Sequence, residues 1–108
     1  MRLALRAQGL RVEPQVHILG LGWVDFLVDG IVVVEVDGFA YHSGRQPYRE
    51  DRRRDRVAGL LGLSVARFTF EDAIGATGRS AFEVAEMAAR ARRAGIQPLP
   101  AHLMVRSA

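Results

Sequence analysis

Residues 31–42 read IVVVEVDGFAYH, and the fold turns on how this stretch is taken. Ile31 to Val34 are four β-branched residues in a row with no polar alternation. A strand with that pattern is expected to be covered on both faces. Glu35 and Asp37 then close the strand, two residues apart, so they point to the same side with Val36 opposite. Two acids at the end of a buried strand ask for a partner.

The segment before it supplies one candidate. Trp23 to Val28 reads as a strand and Asp29-Gly30 as a tight hairpin turn into Ile31–Asp37. With residue 28 opposite 31, Asp25 falls near Val34, within reach of Glu35 if the strands are staggered or bulged. Three carboxylates brought together repel one another. A divalent cation relieves that, and hard oxygen donors suit Mg²⁺, with Mn²⁺ as a substitute. The Val36 carbonyl lies between the two acids as a further donor. The competing reading leaves the acids facing water at strand ends. It fits one acid well and three on adjacent apolar strands poorly.

Working outward, Met1 to Gln8 has the character of a short helix stopped at Gly9. Gln15 to Leu19 is a weak strand after Pro14, followed by a turn at 20–22. A loop over 38–44 leads to a helix with Pro47 in its first turn, running to about Leu61 with Gly62 as its cap. Ser64 to Phe68 is a strand, and Thr69 to Asp72 starts a helical turn broken at 75–78. Ser80 to Glu83 has the form of a capping box, opening a helix to about Ala94, closed by Gly95. The tail from Ile96 is expected to be extended or loosely packed. The order helix, three strands, helix, strand, helix gives an α/β class with a mixed sheet, antiparallel at the hairpin and parallel across the middle helix.

The 108 residues suffice for one domain. The shortness of the first helix leaves open that the chain is truncated at its N-terminus or is the C-terminal part of a larger protein. Without cysteine there is no disulfide and no thiolate metal site. No apolar stretch is long enough to span a bilayer and no signal peptide is legible, so the expected location is the cytoplasm, with no membrane partner. All 15 basic residues are arginine. Six of them fall between Arg45 and Arg56 against three acids, Glu50, Asp51 and Asp55, so this segment carries the whole net charge of +3. Such a cluster is either a phosphate-binding surface or a solvated helix face stitched by acid–base pairs. His42, five residues beyond Asp37, is a candidate base or proton relay. His17 and His102 have no acidic neighbours and read as structural or exposed. Phe39 and Tyr41 suit core packing better than stacking on bases. The helix from Ala81 to Ala94 carries a partial apolar stripe of Phe82, Val84, Met87 and Ala91 that is expected to lie on the sheet.

Taken together, Asp25, Glu35-Val36-Asp37-Gly38, Tyr41-His42, Glu50-Asp51-Arg52-Arg53-Arg54-Asp55 and Leu61 to Phe68 resemble the PD-(D/E)XK nuclease superfamily, and within it the very-short-patch-repair-like endonucleases and their bacterial relatives. The likeness covers about Val24 to Asp72. It implies a restriction-endonuclease-like fold, a mixed central sheet flanked by α-helices, and Mg²⁺-dependent hydrolysis of DNA phosphodiester bonds in repair or restriction.

It implies roles as well. Asp25 and Glu35 correspond to the metal-binding acids and Val36 lends its carbonyl. Asp37 stands where many members place lysine, as a ligand or an orienter of water. The chain has no lysine, so the lysine mechanism is excluded. His42 matches the distal histidine of the patch-repair branch. Arg52, Arg53 and Asp55 resemble the basic helix after the site. Arg45, Arg49, Arg52, Arg53, Arg54 and Arg67 are expected to meet the phosphates of DNA, expected to be double-stranded, with a homodimer open. The chain departs from that branch in having no acid on the first helix. That departure favours the alternative of a catalytically inactive nuclease-fold module for nucleic-acid or partner binding, such as part of an antitoxin-like protein. A third reading is a plain α/β interaction domain.

Overall fold

The computed structural model describes residues 1–37 and 45–107, with side chains of the second helix described from residue 50 onward. The elements in chain order are α1 (Arg2–Ala7), β1 (Val12–Ile18), β2 (Gly22–Val28), β3 (Val32–Asp37), α2 (Arg45–Leu60), β4 (Ser64–Thr69), α3 (Phe70–Gly75), α4 (Thr77–Arg93), a 3₁₀ turn at Ala101–Leu103 and β5 (Met104–Arg106). The strands form one sheet in the order β4-β3-β2-β1-β5, antiparallel throughout except for β3 with β4. The expected α/β class, with a mixed sheet flanked by helices, is what the chain adopts.

Ile31 to Val34 are almost wholly buried, as an uninterrupted β-branched run requires. Val32 and Val34 join a core with Leu5 of α1 and Ala81, Val84 and Ala88 of α4. Val33 faces the other way, into a core with Leu27, Ala58 of α2, Leu63 and Leu99. Each face of the central strand therefore has its own hydrophobic layer. Of the stripe expected on α4, Val84 is buried against the sheet and Met87 and Ala91 pack beside it, whereas Phe82 is 54% exposed and Ala81 and Ala88 fill the buried face instead.

Two expectations are corrected. The hairpin register is Val28↔Val32, one step from the expected 28–31 pairing. The Ile31 N–H donates to the Val28 carbonyl at 2.9 Å, closing the turn before the ladder begins. The fourth helix starts at Thr77, ahead of the Ser80 capping box. Ser80 is buried and its hydroxyl donates to the Asp72 carbonyl at 3.0 Å, while Thr77 donates to carbonyls of Ala73 and Ile74. Both hydroxyls thus tie α4 back to α3, and neither caps a free end.

Of the two forms expected for the tail, the extended one is what the chain adopts. The Leu99 N–H donates to the Gly30 carbonyl at 2.8 Å, Leu99 is buried, and Met104–Arg106 pairs with β1. Gly30 has φ +68°, and a Cβ there would stand 2.9 Å from the Pro98 Cβ. Gly30→Ala is therefore expected to cost about 2 kcal/mol, from backbone strain and from displacing the tail. Urea denaturation checks it, and a loss below about 0.5 kcal/mol would show that the tail yields freely.

Candidate functional site

The corrected register puts Asp25 one step beyond the last β2–β3 rung, Phe26↔Val34, and so level with Glu35. The backbone ladder gives way there to a side chain: Asp25 Oδ2 accepts the Val36 N–H at 2.9 Å. On the other side of β2 the ladder to β1 is also interrupted. Rungs run from Val12↔Val28 to Pro14↔Phe26 and resume at Val16↔Val24, leaving out Gln15 and Asp25. Gln15 has φ +50°, in the left-handed region that non-glycine residues avoid.

The kink changes which way the strands face. Val12 and Val28 pack in the α1/α4 core, whereas Val16 and Val24 pack in the α2 core. Regular alternation would have kept Val12 with Val16 and Val28 with Val24 on one face. Asp25 sits at this crossing point. It also lines an open pocket of about 360 Å³ with Phe26, Val36, Phe70 and Ile74. Sequence reasoning missed Gln15; the only hint was Pro14, which has no N–H to give to a ladder.

Glu35 and Asp37 lie on the α2 side and meet arginine. Arg54 Nη2 donates to both Glu35 carboxylate oxygens, at 3.0 and 3.1 Å, and to the Trp23 carbonyl at 3.0 Å, while Nη1 donates to the Leu21 carbonyl at 3.0 Å. This guanidinium bolts α2 to the β1–β2 turn and to β3 at once. A side chain at Gly22 would crowd it, since a Cβ there would stand 3.1 Å from Nη1. Arg53 adds contacts to the Gly20 and Leu21 carbonyls at 3.2 and 3.5 Å and an exposed pair with Glu50 at 2.6 Å. The hydrogen bond from Arg53 holds the Glu50 carboxyl below the usual range.

Arg67, in register with Glu35 across the parallel β3–β4 pair, stands between several acids. It is 3.6 Å from Glu35, 3.8 Å from Asp37 and 3.4 Å from Asp55 of α2. Burial works against its charge, but Asp55, Asp51, Glu35 and Asp37 outweigh that and raise its pKa.

The expected site residues thus divide. Asp25, Glu35, Val36 and Asp37 lie at one end of two neighbouring strands. Their donor chemistry, three carboxylates and a carbonyl, suits a hard divalent cation. Yet no group of three acids stands close enough to hold a metal among the described residues, and Glu35 is engaged by Arg54. Of the arginines expected to bind DNA, Arg53 and Arg54 spend their donors on the β1–β2 turn and on Glu50 and Glu35, and Arg67 faces acids. Arg52 is exposed and 3.8 Å from Asp55. His42, Phe39, Tyr41 and the side chains of Arg45 and Arg49 lie outside the described residues. His17 is half-buried, its ring 5.3 Å from that of Trp23 in an edge-on contact, and His102 is exposed.

Compared with protein-family models, with curated proteins and with solved structures, the chain matches none. No helix among the described residues is long and apolar enough to cross a membrane.

Proposed function

We propose that the chain is a metal-dependent endonuclease of the PD-(D/E)XK kind, hydrolysing phosphodiester bonds of double-stranded DNA in the cytoplasm. The observation that carries this reading is the placement of Asp25 level with Glu35-Val36-Asp37 at one end of β2 and β3, with the arginine-rich α2 beside them. Asp25, Glu35, Asp37 and the Val36 carbonyl would hold Mg²⁺ or Mn²⁺, which when bound polarises the phosphate and acidifies a water. His42 would take or pass the proton. Arg45, Arg49 and Arg52 on α2 would bind flanking phosphates, giving affinity that falls as salt rises. Arg53 and Arg54 would contribute mainly by holding α2 in place.

A second reading has its own support. Arginines already neutralise Glu35 and Asp37, as they would in a nuclease-fold module that binds nucleic acid without cutting it. Incubating supercoiled plasmid with the protein separates the two. The nuclease reading expects nicking in Mg²⁺ that stops in EDTA. DNA binding that persists in EDTA, with no nicking in either Mg²⁺ or Mn²⁺, would replace it with the binding module.

A further inference from the structure

We propose, resting on the reading of the chain as a DNA-binding protein but not on its metal, that Trp23 is a stacking platform for an unpaired base of a DNA strand. The duplex this chain acts on is then one with a frayed or single-stranded stretch.

The kink at Gln15 and Asp25 ends the core beneath α1 and α4. Beyond it, His17 pairs with Trp23 of β2 and with Val105 of β5, so the three side chains form one row on one face. Their chain neighbours Val16, Ile18, Val24 and Met104 all turn to the α2 core. The row therefore faces the α1/α4 side, yet none of its three members belongs to the core that those helices cover. Trp23 is 52% exposed and Val105 63%. The indole is held in place. The His17 ring meets it edge-on at 5.3 Å and 75°, and Arg54 donates to the Trp23 carbonyl at 3.0 Å. The exposed area of the row is on the order of a few hundred Å². A stable second copy would need roughly 800 Å² per partner, so the row is too small for one. It suits one or two bases, whose flat faces stack on aromatic side chains whatever their sequence. The net charge of +3 draws a polyanion to the chain. Trp23 also stands two residues before Asp25 in β2, about 7 Å along the strand from the proposed site.

Trp23 is the chain's single tryptophan, so its fluorescence reads the platform directly. The purified chain in EDTA is titrated with oligodeoxythymidylate and, separately, with a blunt, fully paired duplex. Saturable quenching by the single strand is expected, with little quenching by the duplex. Binding by the variants is read from the anisotropy of labelled DNA. Trp23→Ala should bind oligodeoxythymidylate about tenfold more weakly, within the range one stacked base contributes, and the duplex as wild type does. Trp23→Phe keeps a ring and should retain most of the affinity. Trp23→Leu keeps only apolar surface and should lose as much as alanine. Because the indole is half exposed, these variants are expected to fold. Absence of quenching by a bound single strand, or wild-type affinity for it in Trp23→Ala, would overturn the platform. Full affinity in Trp23→Leu would also overturn it, marking the row as a general apolar dock. So would a wild-type dimer in sedimentation that Trp23→Ala dissolves, since the row would then belong to a second copy. Quenching without plasmid nicking in Mg²⁺ would sink the nuclease reading and leave the platform standing. Nicking with no loss of single-strand affinity in Trp23→Ala would do the reverse. Failure to bind either DNA would overturn both.

Discussion

Replacing Arg54 with alanine is expected to lower stability by about 3 kcal/mol, a fall of roughly 12 °C in Tm for a domain of this size. The Arg54 and Glu35 side chains are only 15% and 19% exposed, so the pair is largely shielded from water. Truncating the arginine leaves the Glu35 carboxylate half-buried with only the more distant Arg67 opposite, and removes the donors to the Leu21 and Trp23 carbonyls. The loss is an uncompensated charge more than a missing attraction. Arg54→Ala combined with Glu35→Gln should therefore recover part of it. Thermal melts of the two variants decide the point. A drop of under about 1 kcal/mol for Arg54→Ala would show that α2 docks through its apolar face alone.

Leu27→Ala should cost about as much, near 3 kcal/mol, for an unrelated reason. Leu27 is fully buried on the α2 side of the sheet and packs in the cluster of Val33, Leu63 and Leu99. These neighbours come from β3, the turn just before β4 and the C-terminal tail, so they cannot all close on the cavity together. Leu60 provides the contrast, since it is 88% exposed at the end of α2. Leu60→Ala is expected to leave stability within about 0.5 kcal/mol of wild type. Urea titration of both proteins checks the pair. Equal losses at the two positions would contradict the assignment of Leu27 to the core.

What could be read in the sequence follows from the range of the signals. The β-branched run of Ile31 to Val34 announces a doubly covered strand because burial on both faces requires it. Asp29-Gly30 announces a turn because both residues take positive φ there. The antiparallel hairpin and the parallel crossing through α2 follow from those elements. Other features depend on contacts distant in sequence. The one-residue shift of the hairpin comes from how Ile31 closes the turn, which composition does not encode. β5 exists because β1 has an open edge and because Leu99 and Met104 find room in the α2 core. Ser80 fits a capping box by local pattern, but α3 lies close enough for its hydroxyl to serve a different carbonyl.

The site divides along the same line. The positions of the acids along their strands were legible, since alternation sets Glu35 and Asp37 on one side and the hairpin brings Asp25 level with Glu35, but the three carboxylates do not close into one group among the described residues. Their partners were not. Arg53 and Arg54 belong to a basic run whose sequence suits phosphate binding, and only the docking of α2 against the β1–β2 turn turns them inward. The strained Gln15 opposite Asp25 leaves no trace beyond the neighbouring proline.

Asp25 is proposed as a ligand of a metal-dependent nuclease site, and Asp25→Asn removes its charge without removing its bond to β3. Asparagine keeps a carbonyl oxygen to accept the Val36 N–H, so the fold should survive while the charge is lost. Wild type and variant, with matching circular dichroism, are given supercoiled plasmid and Mg²⁺. Wild type is expected to nick the plasmid, and the variant to be slower by at least about a hundredfold. Nicking by Asp25→Asn at the wild-type rate would contradict it.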